Sequence, residues 1–150
     1  MRIGVISDTH GFLPAAVHDV FADVDHIIHA GDVGSSAVLV ELATIAPVTA
    51  VHGNTDSAEL AFSLPGRVSV AVGGVRFLVG HVRAEVVRPG VPDDVDVVVF
   101  GHTHVPLAER RDGRLYLNPG STSRARGGHG HTVAVVEDAA GGPTAAIIAI

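Results

Sequence analysis

The chain has 150 residues, a net charge of −6, 47% hydrophobic residues and no cysteine. The lack of cysteine excludes disulfides and thiolate metal sites, and an acidic chain without basic clusters argues against a nucleic-acid polymer as partner. No apolar run approaches the roughly 20 residues that cross a bilayer, and the N-terminus shows no signal-peptide pattern. We therefore expect one domain over residues 1–150 that is cytoplasmic and makes no membrane contact.

The first half of the chain alternates short apolar runs with helical patterns. Strands are predicted at 2–7, 25–30 and 48–51, and helices at 13–24 and from Ser35 or Ser36 to about Ile45. In the first helix the apolar residues recur three or four positions apart. Alternating strands and helices are typical of a parallel sheet with crossover helices.

The second half is richer in strands. Glycine-containing turns predict three hairpins, with strands at 67–72 and 75–80, at 107–110 and 114–117, and at 132–137 and 144–150. A further buried strand is predicted at 94–100, whereas Pro89, Gly90 and Pro92 break any regular element within 82–92. The simplest α/β architecture is two packed sheets with helices outside.

Polar side chains that can bind a metal ion follow most of these apolar runs. They are Asp8, His10, Asp32, Asn54, His81, His102 and His104. Ligands of open α/β sheets bind beyond the carboxyl ends of the strands, so these side chains could converge on one crevice. Imidazole, carboxylate and amide donors suit Mn, Fe, Zn or Ni better than Ca. Seven donors are too many for one tetrahedral ion but would serve two ions that share a bridging carboxylate.

Five segments, in order, resemble the motifs of calcineurin-like metallophosphoesterases. They are Asp8-Thr9-His10, Gly31-Asp32, Gly53-Asn54-Thr55-Asp56, Gly80-His81 and Gly101-His102-Thr103-His104. A sixth segment, Asn118-Pro119-Gly120-Ser121, resembles the small single-domain bacterial and archaeal phosphodiesterases of this superfamily. The resemblance covers about residues 1–125 and implies a four-layer αββα sandwich, with two mixed sheets flanked by helices.

The resemblance also implies a dinuclear, metal-dependent phosphoesterase. One ion would be held by Asp8, His10 and His104, the other by Asn54, His81 and His102, and Asp32 would bridge them. Asp32, Asn54 and His81 are expected to be catalytic as well as ligands. The implied reaction is hydrolysis of small phosphodiesters by attack of a metal-bridging hydroxide, with Mn²⁺ as the first choice of metal and Fe, Zn, Ni or Mg as alternatives.

The third motif departs from the pattern of many larger relatives, which have a histidine at the position of Thr55. That histidine is thought to protonate the leaving group, which a hydroxyl cannot do efficiently near pH 7. We therefore expect esters with good leaving groups to be cleaved much faster than alkyl esters. Arg124, Ser121 and Thr55 are predicted to contact the substrate; Arg126 is an alternative to Arg124, and both could instead belong to an ordinary solvated loop.

Several alternatives stay open at this level. A retromer subunit with this fold is regarded mainly as an assembly module, so a non-catalytic metal-binding scaffold is the alternative function, and a phosphomonoesterase is another. The complete ligand set favours an enzyme, because a scaffold is free to lose ligands. The physiological substrate, an accessory role for His129 and His131, and a homodimer also stay open.

Overall fold

The structure is a computed structural model that describes residues 1–150. Its four helices are α1 (Ala16–Val20), α2 (Ser36–Ala43), α3 (Ala58–Ser63) and α4 (Arg83–Val87). Its ten strands are β1 (Arg2–Ile6), β2 (His26–His29), β3 (Val48–Ala50), β4 (Arg67–Val72), β5 (Val75–Gly80), β6 (Val97–Val99), β7 (Leu107–Arg111), β8 (Arg114–Asn118), β9 (Thr132–Glu137) and β10 (Thr144–Ala149). None of the helices is long and apolar enough to span a membrane.

The strands form two five-stranded mixed sheets. The first has the order β10-β9-β1-β2-β3, with β1, β2 and β3 parallel and β9 antiparallel to β1. The second has the order β4-β5-β6-β8-β7, in which β5, β6 and β8 are parallel and the edge strands β4 and β7 are hairpin partners of β5 and β8. The C-terminal hairpin thus returns to the N-terminal sheet, where Val136 of β9 lies opposite Ile3 of β1.

Aliphatic side chains of both sheets form the shared core between them. Ile3 and Val5 of the first sheet belong to the same buried cluster as Phe77, Val97 and Leu117 of the second. A second cluster joins α1, α2 and α3 to the outer face of the first sheet, and a third joins α4 to the outer face of the second. These layers confirm the predicted αββα sandwich.

The predicted elements differ from the structure mainly in length. The first helix is limited to α1, shorter than the predicted range 13–24, with turns on either side. The sequence pattern does not predict α3 and α4, which have only six and five residues and therefore little periodicity. The Ser57 hydroxyl caps α3 by accepting a hydrogen bond from the Leu60 N–H. The second hairpin turns at Asp112 and Gly113, so β7 extends through Arg111.

Candidate metal centre

The seven predicted ligands follow the carboxyl ends of parallel strands. In the first sheet, Asp8 and His10 follow β1, Asp32 follows β2 and Asn54 follows β3. In the second sheet, His81 comes directly after β5, and His102 and His104 follow β6. Because parallel strands end at the same edge of a sheet, the fold brings both sets together at one end of the sandwich.

Five of these residues have a left-handed backbone conformation. They are Asp8, His10, Asp32, His102 and His104, with φ between 47° and 72°. The only other non-glycine residue with positive φ is Asp112, in a hairpin turn. Such conformations cost of order 1 kcal/mol or more each and persist where the surrounding structure imposes them. This concentration of strain marks the strand ends as a functional site.

Asp8, His10 and His104 form what we call the closed side of the site. Their side chains are 8% exposed or less. The Nε2 atom of His104 lies 3.0 Å from Asp8 Oδ1 and 3.4 Å from His10 Nε2, and His10 Nε2 lies 3.8 Å from the same Asp8 oxygen. Burial, followed by the charge of Arg124, lowers the pKa of His10, which favours the neutral imidazole that can bind a metal.

Hydrogen bonds on the closed side direct the free donor atoms inward. Asp8 Oδ2 accepts hydrogen bonds from the Ser7 hydroxyl at 2.7 Å and the His102 N–H at 3.1 Å, so Oδ1 is left over. His104 Nδ1 donates to the Arg124 carbonyl at 2.7 Å, because a carbonyl can only accept. In the neutral ring, Nε2 of His104 therefore carries a lone pair that faces a carboxylate oxygen, an arrangement that a cation would stabilise.

Asp32 and His81 lie in the middle of the site. His81 Nε2 is 3.2 Å from Asp32 Oδ2, which is also 3.9 Å from His10 Nε2. Burial alone would lower the pKa of His81, but Asp32 and then Asp8 outweigh it and the pKa is raised. Burial alone would likewise raise the pKa of Asp32, but His81 and the Thr55 N–H outweigh it and the pKa is lowered. The charges thus favour an anionic Asp32 oxygen facing His81 and His10.

Asn54 and His102 form the open side. Both residues are exposed, and His102 Nδ1 donates to Asn54 Oδ1 at 3.1 Å. The His102 ring packs edge-on against His81, with their centroids 5.3 Å apart. The fold therefore brings Asn54 and His102 next to His81, but these two candidate ligands already satisfy one another through a hydrogen bond.

The donor atoms fit divalent metal ions. Asp8 Oδ1 and His81 Nε2 are buried and form no hydrogen bond, although His104 Nε2 and Asp32 Oδ2 approach them to 3.0 Å and 3.2 Å. Such atoms are costly unless a cation or another group binds them. Asp8, His10 and His104 offer donor atoms within 4.8 Å of one another, and so do Asp8, Asp32 and His81. Nitrogen and oxygen donors without sulfur suit the metals that the sequence predicts.

Two further residues hold the loops of the site in place. The Asp56 carboxylate accepts hydrogen bonds from the backbone N–H groups of Val33, Gly34 and Gly53. The fully buried His29 is bonded to the Thr9 hydroxyl at 3.0 Å and accepts from the Gly31 N–H. Burial lowers the pKa of His29 to about 3, so the ring stays neutral. Asp56 orients the loop backbone around the site.

Three of the residues considered for substrate binding line a small polar cavity above the ligands. Thr55, Arg124 and Arg126 border this space of about 100 Å³, which contains no hydrophobic side chain. Ser121 is instead fully buried. Its hydroxyl donates to the Asp8 carbonyl at 2.8 Å and accepts from the Arg124 N–H at 2.9 Å. A substrate therefore cannot reach Ser121 in this structure. The hydrogen bonds of the Ser121 hydroxyl instead hold the backbone of Asp8 and Arg124 in place.

Two residues that support the site were not predicted from the sequence: Ser7, whose hydroxyl donates to Asp8, and Thr9, whose hydroxyl is hydrogen-bonded to His29. Their position beside a candidate ligand was the only available signal. His129 and His131 are exposed in the loop between β8 and β9.

The chain matches a known protein family and several of its members. The family model for the calcineurin-like phosphoesterase superfamily domain matches residues 1–140. A probable metallophosphoesterase of Methanocaldococcus jannaschii is 38% identical over 141 residues, covering 84% of this chain and 70% of the relative. The phosphodiesterase YfcE of Escherichia coli is 31% identical over 154 residues, covering 86% and 83%.

Solved structures share the same architecture. A structure described as a novel archaeal phosphodiesterase superposes with a TM-score of 0.79 at 27% identity, covering 99% of this chain and 100% of the other. A Vps29 structure from Entamoeba histolytica superposes with a TM-score of 0.74 at 20% identity over 100% and 99% of the two chains. At that identity the second likeness supports the fold alone.

Proposed function

Since the chain belongs to the calcineurin-like phosphoesterase superfamily and has relatives that are named phosphodiesterases, we propose that it is a metal-dependent phosphodiesterase that binds two divalent ions and hydrolyses small phosphodiesters. The observation that carries this proposal is the pair of buried, unpartnered donor atoms, Asp8 Oδ1 and His81 Nε2. They lie 3.8 Å apart and belong to two different strand ends, one from each sheet.

The two ions are assigned to the two sides of the site. Asp8, His10 and His104 would hold the first ion, on the closed side, while His81 with Asn54 and His102 would hold the second. Asp32 would bridge, because its Oδ2 lies between His10 and His81. Bound divalent ions would lower the pKa of water toward neutrality and neutralise charge on the phosphoryl oxygens. Mn²⁺ is the first choice, with Fe, Zn, Ni and Mg to be compared against it.

The chain's own groups would position the ester. Arg124 lines the cavity above the ligands, and both its N–H and its carbonyl are fixed by hydrogen bonds. A guanidinium at this cavity can donate two hydrogen bonds to the phosphoryl oxygens of an ester. Thr55 also lines the cavity, and its N–H holds Asp32 Oδ1 at 2.9 Å, which leaves Oδ2 for the metals. We propose that Ser121 holds Asp8 and Arg124 in position.

We also propose a domain organisation, a location and an oligomeric state for the protein. We treat residues 1–150 as one metallophosphoesterase domain, because both sheets contribute to one core. We place the enzyme in the cytoplasm, which fractionation of the source cells would test. A homodimer also stays a proposal, and sedimentation of the purified protein would reveal it.

A panel of metals and esters tests the central proposal. Metal-stripped protein should hydrolyse bis(4-nitrophenyl) phosphate only after addition of a divalent ion, and faster than the monoester 4-nitrophenyl phosphate. A protein that neither binds metal nor turns over either ester would support the scaffold alternative. Faster cleavage of the monoester would assign a phosphomonoesterase.

The leaving group offers a second test, because Thr55 replaces a histidine acid. Methyl 4-nitrophenyl phosphate should be cleaved much faster than dimethyl phosphate, and the ratio should shrink in Thr55→His if the introduced imidazole protonates the leaving alkoxide. Thr49→His, on the adjacent β3 strand, is the control. Equal rates for the two esters in the unmodified enzyme would contradict the expected lack of a strong general acid.

A further inference from the structure

Two polar cavities flank Asn54. The first is the 100 Å³ space that Arg124 and Arg126 line above the candidate ligands. The second measures about 270 Å³ and is lined by His52 and Glu85, with His81 among its other lining residues. Because Asn54 borders both and each is bordered by candidate metal ligands, a phosphodiester over the metal centre would direct one arm toward each cavity.

The two cavities carry opposite charge. The first is lined by two guanidinium groups, of Arg124 and Arg126, and by one carboxylate, that of Asp32, so its net charge is positive. In the second, Glu85 is the only acidic or basic residue apart from histidines. An anionic group is therefore attracted at one end of the cleft and repelled at the other, although solvent screens the exposed Glu85.

The two arginines are not equivalent. Arg124 is held by its backbone against His104 and Ser121, and its charge contributes to the lowered pKa of His10. It is therefore close to the metal ligands and suited to the phosphate that is cleaved. Arg126 lies two residues further along and lines the same cavity. Only Arg124 is tied to a candidate ligand, so Arg126 is available for a second group.

We propose that the cleft is asymmetric: it accepts a phosphodiester with a second phosphate on one arm, which Arg126 binds, while the uncharged other arm lies against His52 and Glu85. This inference rests on the proposed function, because it assumes that a diester is centred over the candidate metal ligands. A guanidinium is well suited to a phosphate, which it can contact with two parallel hydrogen bonds.

A matched pair of substrates tests the Arg126 subsite. Thymidine 5′-(4-nitrophenyl phosphate) and its 3′-phosphorylated derivative share the cleaved bond and the leaving group, and differ by one phosphate. The derivative should have a kcat/KM about tenfold higher, mainly through a lower KM, which is a common effect of one charge-assisted contact. Arg126→Ala should bring the ratio of the two values to about one, and Arg126→Lys should keep part of it.

Arg88→Ala is the matched control, since Arg88 is an exposed arginine that lines neither cavity and its loss changes the net charge equally. Its ratio should equal that of the unmodified enzyme. A ratio near one in the unmodified enzyme, or a ratio that Arg126→Ala leaves intact, would overturn the subsite.

Measurements of nucleotide binding can distinguish a failure of the Arg126 subsite from a failure of the proposed function. Calorimetry with thymidine 3′,5′-bisphosphate and thymidine 5′-phosphate should give a similar tenfold difference in Kd, again removed by Arg126→Ala. If the bisphosphate binds more tightly while neither ester is hydrolysed, the subsite stands and the phosphodiesterase proposal falls. If both esters are hydrolysed equally and both nucleotides bind equally, the proposed function stands and the subsite falls.

The opposite end of the cleft is tested through Glu85. A negative leaving arm, as in thymidine 5′-(4-carboxyphenyl phosphate), should be disfavoured by this carboxylate. Glu85→Gln should raise kcat/KM for the carboxyphenyl ester, relative to the nitrophenyl ester, about two- to fivefold, the size expected of an exposed charge. Glu59→Gln, on the surface of α3, should leave that ratio unchanged. An unchanged ratio in Glu85→Gln would remove Glu85 from the proposal.

Discussion

The closed and open sides of the metal centre differ in how far the protein prepares them. On the closed side, Asp8 and His104 are buried, and each is oriented by a hydrogen bond that leaves one donor atom free. On the open side, Asn54 and His102 are exposed and bonded to each other. An ion on the closed side thus meets donors that are already oriented toward it, whereas an ion on the open side must displace a hydrogen bond.

The two sides should therefore bind their ions with different affinity. A buried site with fixed ligands loses little conformational entropy on binding an ion and should bind it tightly. A solvent-facing site whose ligands reorient should bind its ion less tightly and exchange it more readily. Asp32, which lies between the two sides, should contribute to the binding of both ions.

The largest effect is expected from Asp32→Asn. Removing the charge of the carboxylate between His10 and His81 should affect both ions. Changes to groups that only orient a ligand cost about 10–100-fold, so loss of the bridging ligand should lower kcat/KM for bis(4-nitrophenyl) phosphate by at least about 10³-fold. Asp93→Asn makes the same change on the surface and should be neutral. Activity of Asp32→Asn within about tenfold of the unmodified enzyme would exclude bridging.

His104→Ala and His102→Ala compare the two sides directly. Calorimetric titration of the metal-stripped protein with Mn²⁺ should show a tight and a weaker site. His104→Ala should weaken the tight site by roughly 100-fold or more, while His102→Ala should weaken the other by about tenfold, because its ligands are less fixed. If both variants weaken the same site, the assignment of the two histidines to different ions is wrong.

A smaller effect is expected at Gly31, which packs against His81. Gly31 has φ of 98°, and a Cβ there would lie 2.7 Å from His81 Nδ1. Gly90 has a similar φ of 101°, but a Cβ added there would meet nothing within 4 Å, so Gly90→Ala is the control for backbone strain. Gly31→Ala should lower the free energy of unfolding by about 1–3 kcal/mol more than Gly90→Ala, as measured by urea denaturation. Equal losses of unfolding free energy in the two variants would show that the His81 ring moves aside without destabilising the protein.

The smallest effect concerns His29 and pH. Its pKa is about 3 in the folded protein and about 6.5 in the unfolded chain, so between these values the unfolded state binds more protons. The free energy of unfolding is therefore unaffected by the titration of His29 above pH 6.5. As the pH falls toward 3, the titration of His29 lowers it by up to about 1.4 kcal/mol per pH unit. Urea denaturation at pH 5 and 7 should show a weaker pH dependence in His29→Gln than in His129→Gln. Identical slopes would contradict this contribution.

Local sequence patterns were sufficient to predict most strands and the hairpin turns. Apolar runs bounded by glycine and polar residues indicated the strands, and Gly73-Gly74 marked a two-residue hairpin turn that the structure contains. The short helices α3 and α4 escaped prediction, because five or six residues carry too little periodicity to be recognised. The placement of β9 beside β1 was also beyond local pattern, since pairing between the two ends of the chain depends on the packing of the whole core.

The sequence by itself determined which donors the site contains, because the motifs place carboxylates, imidazoles and an amide directly after apolar strands. It also indicated the family and hence a metal-dependent reaction. Only the tertiary structure decided which donor atoms are free, that Ser121 lies beneath the site, and that Arg126 lines the same cavity as Arg124. Those properties depend on contacts between distant segments, such as that of His104 Nδ1 with the Arg124 carbonyl, and no local pattern encodes them.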